Sequence, residues 1–103
     1  MPQINYTLES RLDLVRLTEF LLSVAPESAA KAIDTILESI EILEQSPEIG
    51  RQYESSVSSV FRELVIRHGR GGYLALYSFD SDADLVTIHA IRHQRELDYG
   101  LDS

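Results

Sequence analysis

VFRELVIRHGRGGYLALYSFDSDADLVTIHAIR, residues 60–92, decides the fold. Three apolar runs are broken by two short polar connections. In VFRELVIR (60–67), Val60, Arg62, Leu64 and Ile66 alternate with Phe61, Glu63, Val65 and Arg67, the period-2 pattern of a strand. HGRGG (68–72) is a glycine-rich hairpin connection to YLALYSF (73–79), and DSDAD (80–84) is an acidic turn into LVTIHAIR (85–92). Three strands joined this closely form an antiparallel meander.

Upstream the period changes. PQINYTL (2–8) has strand character, with Ile4, Tyr6 and Leu8 on one face. Ser10 is the expected N-cap of a first helix, with Asp13 at capping-box spacing and Leu14, Leu17, Leu21 and Val24 at helical intervals. Ala25-Pro26 ends that helix and starts a second. There Ala29, Ile33, Ile36, Ile40 and Leu43 form one apolar seam, while Glu38, Glu41 and Glu44 lie off it. Ser46-Pro47 stops the second helix, and residues 47–59 read as a loop. The expected fold over 1–103 is one α+β domain: an N-terminal strand, then an antiparallel helix hairpin packed on one face of a mostly antiparallel four-stranded sheet. The other face is expected to be open.

The chain has 103 residues, no cysteine and a formal charge of −8. Thiol chemistry, disulfides and cysteine-based metal sites are excluded. No apolar run approaches the roughly 18 residues of a membrane span, and no signal-peptide pattern opens the chain, so a cytoplasmic protein with no membrane partner is expected. The acidity argues against indiscriminate binding to phosphate backbones and against direct DNA binding by this chain alone. The charge is uneven: residues 1–50 carry three basic and nine acidic side chains, residues 51–103 six and eight. All six basic residues of the second half are arginines, the better residue for bidentate and stacked recognition.

HGRGG lacks the GxxxxGK[ST] pattern and leads into a strand, so it is read as a turn. DSDAD lacks the glycine and closing glutamate of a calcium loop. His68, His89 and His93 show no metal-ligand spacing, and no metal or cofactor is expected. The distinctive cluster is the end of the last strand, where Arg92, His93, Arg95, Glu96 and Tyr99 fall within eight positions. On their own they could also be a solvated strand end with weak internal ion pairs.

The element order, together with PEIGRQ (47–52), FRELVI (61–66), GGYLALY (71–77) and IRHQRELDY (91–99), resembles the RelE/ParE superfamily of toxins from bacterial type II toxin–antitoxin systems. The resemblance covers nearly the whole chain. Its most specific pieces are Arg62, the pair Gly72-Tyr73 and the terminal RHQRE block. It implies a cognate antitoxin as partner and one of two targets. RelE-type members cut mRNA on the ribosome, activating a ribose 2′-hydroxyl and stabilising phosphorane charge with basic groups. ParE-type members poison DNA gyrase through a protein contact. Arg62, Arg95 and Tyr99 match RelE-type catalytic positions, whereas Leu64 and Leu74 stand where RelE carries two further basic residues. Glu63, Arg67 and His93 could imitate the glutamate–arginine–histidine set of some ribosome-dependent relatives. The lost cations and the charge of −8 favour the ParE-type reading. Arg62, Arg67, Tyr73, Arg92, His93, Arg95, Glu96 and Tyr99 are then the expected surface for target or antitoxin. RelE-like mRNA cleavage is the alternative, and a non-toxic antitoxin-binding regulator is a third reading.

Overall fold

A computed structural model describes residues 1–53 and 60–96. Strand β1 (Gln3–Tyr6) leads into helices α1 (Leu8–Val24) and α2 (Pro26–Glu41). A short 3-10 turn (Ile42–Glu44) follows, then strands β2 (Arg51–Tyr53), β3 (Phe61–His68), β4 (Gly71–Asp80) and β5 (Leu85–His93). The sheet order is β1-β5-β4-β3-β2; β1 runs parallel to β5 and the other pairs are antiparallel. No described helix is long and apolar enough to cross a membrane.

The expected helix hairpin and meander are present, and the apolar seam of α2 faces the sheet. Ile36, Ile40 and Leu43 are fully buried, Ala29 nearly so, and Ile33 packs at the margin. They meet Leu17 from α1 and Ile66, Tyr73, Ala75, Tyr77, Val86, Ile88 and Ile91 from the sheet. Burying one such side chain is worth about 1.5–3 kcal/mol, so this seam is what binds helices to sheet.

Three features depart from the expectation. The cap of α1 is Thr7, not Ser10: the Thr7 hydroxyl accepts from the Ser10 backbone N–H at 3.1 Å. Ser10 lies inside the first turn, buried, with its own hydroxyl donating to the Thr7 carbonyl at 2.9 Å. Both residues are good caps, and the helix begins at the earlier one because Thr7 also donates to the His89 carbonyl at 3.2 Å. Leu8 therefore opens the helix and not the strand.

The second departure is β2. It lies within the expected loop and gives the sheet a fifth strand. Its register sets Arg51 opposite Glu63 and Tyr53 opposite Phe61. Arg51 forms a two-pronged ion pair with Glu63, whose side chain is only 4% exposed. The third concerns the sheet face away from the helices, which is not open throughout. Leu76, Leu74 and Ala90 are buried there, and Phe61 packs its ring 4.9 Å from that of His89.

Two turns are as read. Gly69 takes φ +60° at the first loop position between His68 and Gly71, a conformation that favours glycine. Asp80 closes the second turn, its carboxylate accepting from the backbone N–H groups of Asp82 and Ala83 at 3.0 and 3.1 Å.

Candidate functional site

The parallel partner β1 covers β5 only from Leu85 to Ile88. Beyond Ile88 the outer edge of β5 has no strand beside it among the described residues, and backbone groups there need other partners. α1 supplies them. The Asp13 carboxylate accepts from the Ile91 N–H at 2.8 Å, and Arg16 donates to the Ile91 carbonyl at 3.3 Å. Arg16 also pairs with Asp13 at 3.5 Å and with Glu96 at 3.0 Å. Burial, the largest influence, raises the Asp13 pKa above its usual value, against the lowering effect of the Ile91 N–H and Arg16. This stitching fixes the angle between α1 and the end of β5.

Where the two diverge, a groove of about 490 Å³ opens, lined by Arg16, Leu17, Phe20 and Leu21 of α1, Tyr73 of β4, and His93, Arg95 and Glu96. Tyr73 forms its floor, 4% exposed, with the His93 ring edge-on at 5.3 Å and the His68 ring at 6.3 Å. Burial raises the Tyr73 pKa, so its phenol stays protonated at neutral pH. The turn after β5 is tightly specified. The His93 backbone N–H donates to the Glu96 carboxylate at 2.8 Å, and the Glu96 N–H returns to the His93 carbonyl at 3.0 Å. The Arg95 N–H donates to His93 Nδ1 at 3.0 Å, which leaves the proton of the neutral ring on Nε2. Glu96 is consumed by Arg16 and by this turn. The Arg95 side chain is exposed at the rim and has no ion-pair partner among the described residues. The groove is thus apolar inside, with one surplus cation among the described residues at its mouth.

Of the residues expected at the site, the fold gathers Tyr73, His93, Arg95 and Glu96. Arg92 points to the other side of β5, where its guanidinium donates to the carbonyls of His93 and Glu96 and braces the turn from behind. Arg67 is exposed on the face away from the helices. Arg62 stands opposite Tyr77, four residues along β4 from Tyr73, which is roughly 13 Å of strand. There it donates to the carbonyls of Glu48 and Gly50 at 3.1 and 2.8 Å and pairs with Glu48 at 3.6 Å. Tyr99 lies outside the described residues. The glutamate–arginine–histidine set does not form: Glu63 is opposite Leu76 on the far face and held by Arg51, while His93 is opposite Tyr73 on the helix face.

Sequence reasoning missed the α1 side of the groove. Asp13 and Arg16, two charged residues three apart and next in sequence to the inward-facing Leu14 and Leu17, were the available signal.

Comparison with known proteins agrees with this architecture. A family model described as the ParE toxin of the type II toxin–antitoxin system parDE matches residues 4–98. Toxin RelE3 of Caulobacter vibrioides is 36% identical over 96 residues, covering 93% of this chain and 98% of that protein. Among solved structures, a chain of the chromosomal ParDE system from P. aeruginosa superposes with a TM-score of 0.73 at 22% identity, covering 90% of this chain and 96% of its own. A chain of the toxin–antitoxin complex RelBE2 from Mycobacterium tuberculosis gives a TM-score of 0.57, also at 22% identity, over 91% and 100%. At that identity these two speak to the fold.

Proposed function

Because the chain belongs to the ParE toxin family of type II toxin–antitoxin systems, we propose that it is a ParE-like toxin whose target is DNA gyrase, engaged by protein–protein contact at the α1–β5 groove and neutralised by a cognate antitoxin. The observation that carries this reading is the character of the groove. Leu17, Phe20, Leu21 and Tyr73 make it apolar, Arg16 and Glu96 cancel each other, and among the described lining residues Arg95 remains to meet an acid. An apolar groove with a cationic rim fits a protein segment that presents an apolar side chain beside a carboxylate. It fits a polyphosphate backbone poorly, since that surface needs several unspent cations. Arg62, Arg92 and Arg16 each spend guanidinium donors on groups within the chain, and the whole molecule carries −8.

The second reading is ribosome-dependent mRNA cleavage. It is favoured by the relative named Toxin RelE3 and by His93, whose Nδ1 is held by a backbone N–H in a fixed orientation suited to proton transfer. Its weakness is that one imidazole and one arginine would carry the chemistry that the basic groups of RelE-type sites share.

Two assays on the purified chain separate the readings. Inhibition of supercoiling, or trapping of cleaved DNA, with translation intact is the expected result. mRNA cut only on ribosomes, with gyrase unaffected, overturns the proposal. A chain that binds an antitoxin but affects neither target is the regulator of the third reading.

A further inference from the structure

The turn that follows β5 is held by the backbone N–H groups of residues 93–96, and each has an acceptor within the chain. The His93 N–H donates to the Glu96 carboxylate at 2.8 Å. The N–H groups of Gln94 and Glu96 donate to the carbonyls of Gly72 and His93, both at 3.0 Å. The N–H of Arg95 donates to His93 Nδ1, also at 3.0 Å. The two carbonyls do not titrate. Glutamates as a class take up protons about two pH units below histidines. The last acceptor is an imidazole nitrogen, and one proton added there turns it into a donor.

The ring has no second atom to offer. It stands edge-on to Tyr73 at 5.3 Å, and its Nε2 lies over Gly71, 3.4 Å from where a Cβ on that glycine would sit. Nδ1 therefore faces the turn, and Nε2 carries the proton of the neutral ring. A half-turn of the ring would present a carbon to the Arg95 N–H. The charged and titratable groups around the imidazole are the Tyr73 phenol from β4, His68 from β3, Asp13 and Arg16 from α1, and Arg95 and Glu96 of its own turn. Arg16 pairs with both carboxylates, and burial keeps the phenol protonated. Histidines as a class change charge between about pH 5 and pH 8, so His68 needs its own control.

We propose that His93 is a positioning residue that acts through Arg95 and is gated by pH. Neutral, it latches the Arg95 N–H and holds that residue at the mouth of the α1–β5 groove. Protonated, it turns a second N–H towards the first, the latch opens and Arg95 leaves its place on the rim. Gln94 and Arg95 are exposed, so water receives the released N–H. The effect is that of one net hydrogen bond, about two- to tenfold in an equilibrium. The latch itself concerns only the turn. Its consequence for inhibition of a target rests on the reading of the groove as the gyrase contact.

Nuclear magnetic resonance on the isotope-labelled chain, titrated from about pH 8 to about pH 5, reads the latch directly. At the upper end the His93 ring should carry its proton on Nε2 alone. The Arg95 amide should then shift, and exchange faster with water, in step with protonation of His93. His93→Asn keeps a side-chain acceptor in place, because asparagine bonds the backbone N–H two residues on, and it cannot titrate. Its Arg95 amide should not respond to pH. His68→Gln should leave the response of the parent intact. In supercoiling assays, inhibition by the parent should weaken about two- to tenfold across the same range relative to His93→Asn, whatever the level from which each starts. An Arg95 amide indifferent to His93 protonation, or one that responds in His93→Asn as in the parent, overturns the proposal. A responding amide with inhibition that ignores pH overturns the positioning role. A responding amide in a chain that never inhibits supercoiling supports the latch and breaks the gyrase reading instead.

Discussion

The two ends of the β3–β4 hairpin, each marked by a tyrosine on the helix face, contrast in what is left to do. At Tyr77 everything is spent. Its hydroxyl accepts from the Gly50 N–H at 2.9 Å, Arg62 holds the carbonyls on either side of that turn, and a Cβ on Gly50 would lie 2.6 Å from the Tyr77 ring. At Tyr73 the ring floors a groove, His93 stands edge-on to it, and the Arg95 guanidinium has no ion-pair partner among the described residues. Both ends contain an arginine that family resemblance singles out. They differ in whether its donors are already satisfied. A committed arginine is a structural clamp, and an uncommitted one is available to a partner.

The harshest way to break the comparison is to remove the core on which both ends rest. Ile36 is fully buried between α2 and the sheet. Ile36→Asp forfeits about 1.5–3 kcal/mol of burial and adds the desolvation of a carboxylate, a sum comparable with the roughly 5–15 kcal/mol that holds such domains. The variant should lose cooperative unfolding in calorimetry. A melt like that of the parent would mean that the seam does not face the sheet.

Two arginine truncations then separate the ends. Arg62→Ala leaves the Glu48 and Gly50 carbonyls without their donor, and such losses typically cost about 1–3 kcal/mol. Its melting temperature should fall, while the folded fraction keeps its effect on the target. Arg95→Ala should behave in reverse, with stability within about 0.5 kcal/mol of the parent, as for ordinary surface changes, and with target inhibition lost. If Arg95→Ala melts early and inhibits normally, the open end is structural and the groove is not the contact.

What the chain disclosed before folding follows the same division. The α2 seam, the break at Pro26 and the turns at Gly69 and Asp80 were legible because each is a periodic or local signal. β2 was not, since three residues cannot show a period and its register depends on Arg51 meeting Glu63 across the sheet. The start of α1 was misplaced by three residues because Thr7 and Ser10 are equally good caps in isolation, and only the contact of Thr7 with His89, 82 residues away, distinguishes them. The groove was half legible. The RHQRE block announced one wall, but the other depends on Asp13 and Arg16 reaching Ile91, a contact that no spacing encodes.

The gentlest test uses a histidine that belongs to neither end. His89 lies against Phe61 with its Nε2 2.7 Å from the Ser78 hydroxyl. Burial, the dominant influence, lowers its pKa below the ordinary 6.5, and the charge of Glu9 only partly offsets this. The unfolded chain therefore takes up a proton at a pH where the folded chain still resists it. Stability rises with pH wherever the unfolded state binds more protons, so the contribution of His89 is fully present above 6.5 and is lost as pH falls from there towards the lowered folded value. Melting temperature should decline across that window. His89→Gln, which cannot titrate, should show a shallower decline, and Glu9→Gln a steeper one because the offsetting charge is gone. A pH profile of stability unchanged by His89→Gln would mean that the imidazole titrates in the folded chain as freely as in the unfolded one.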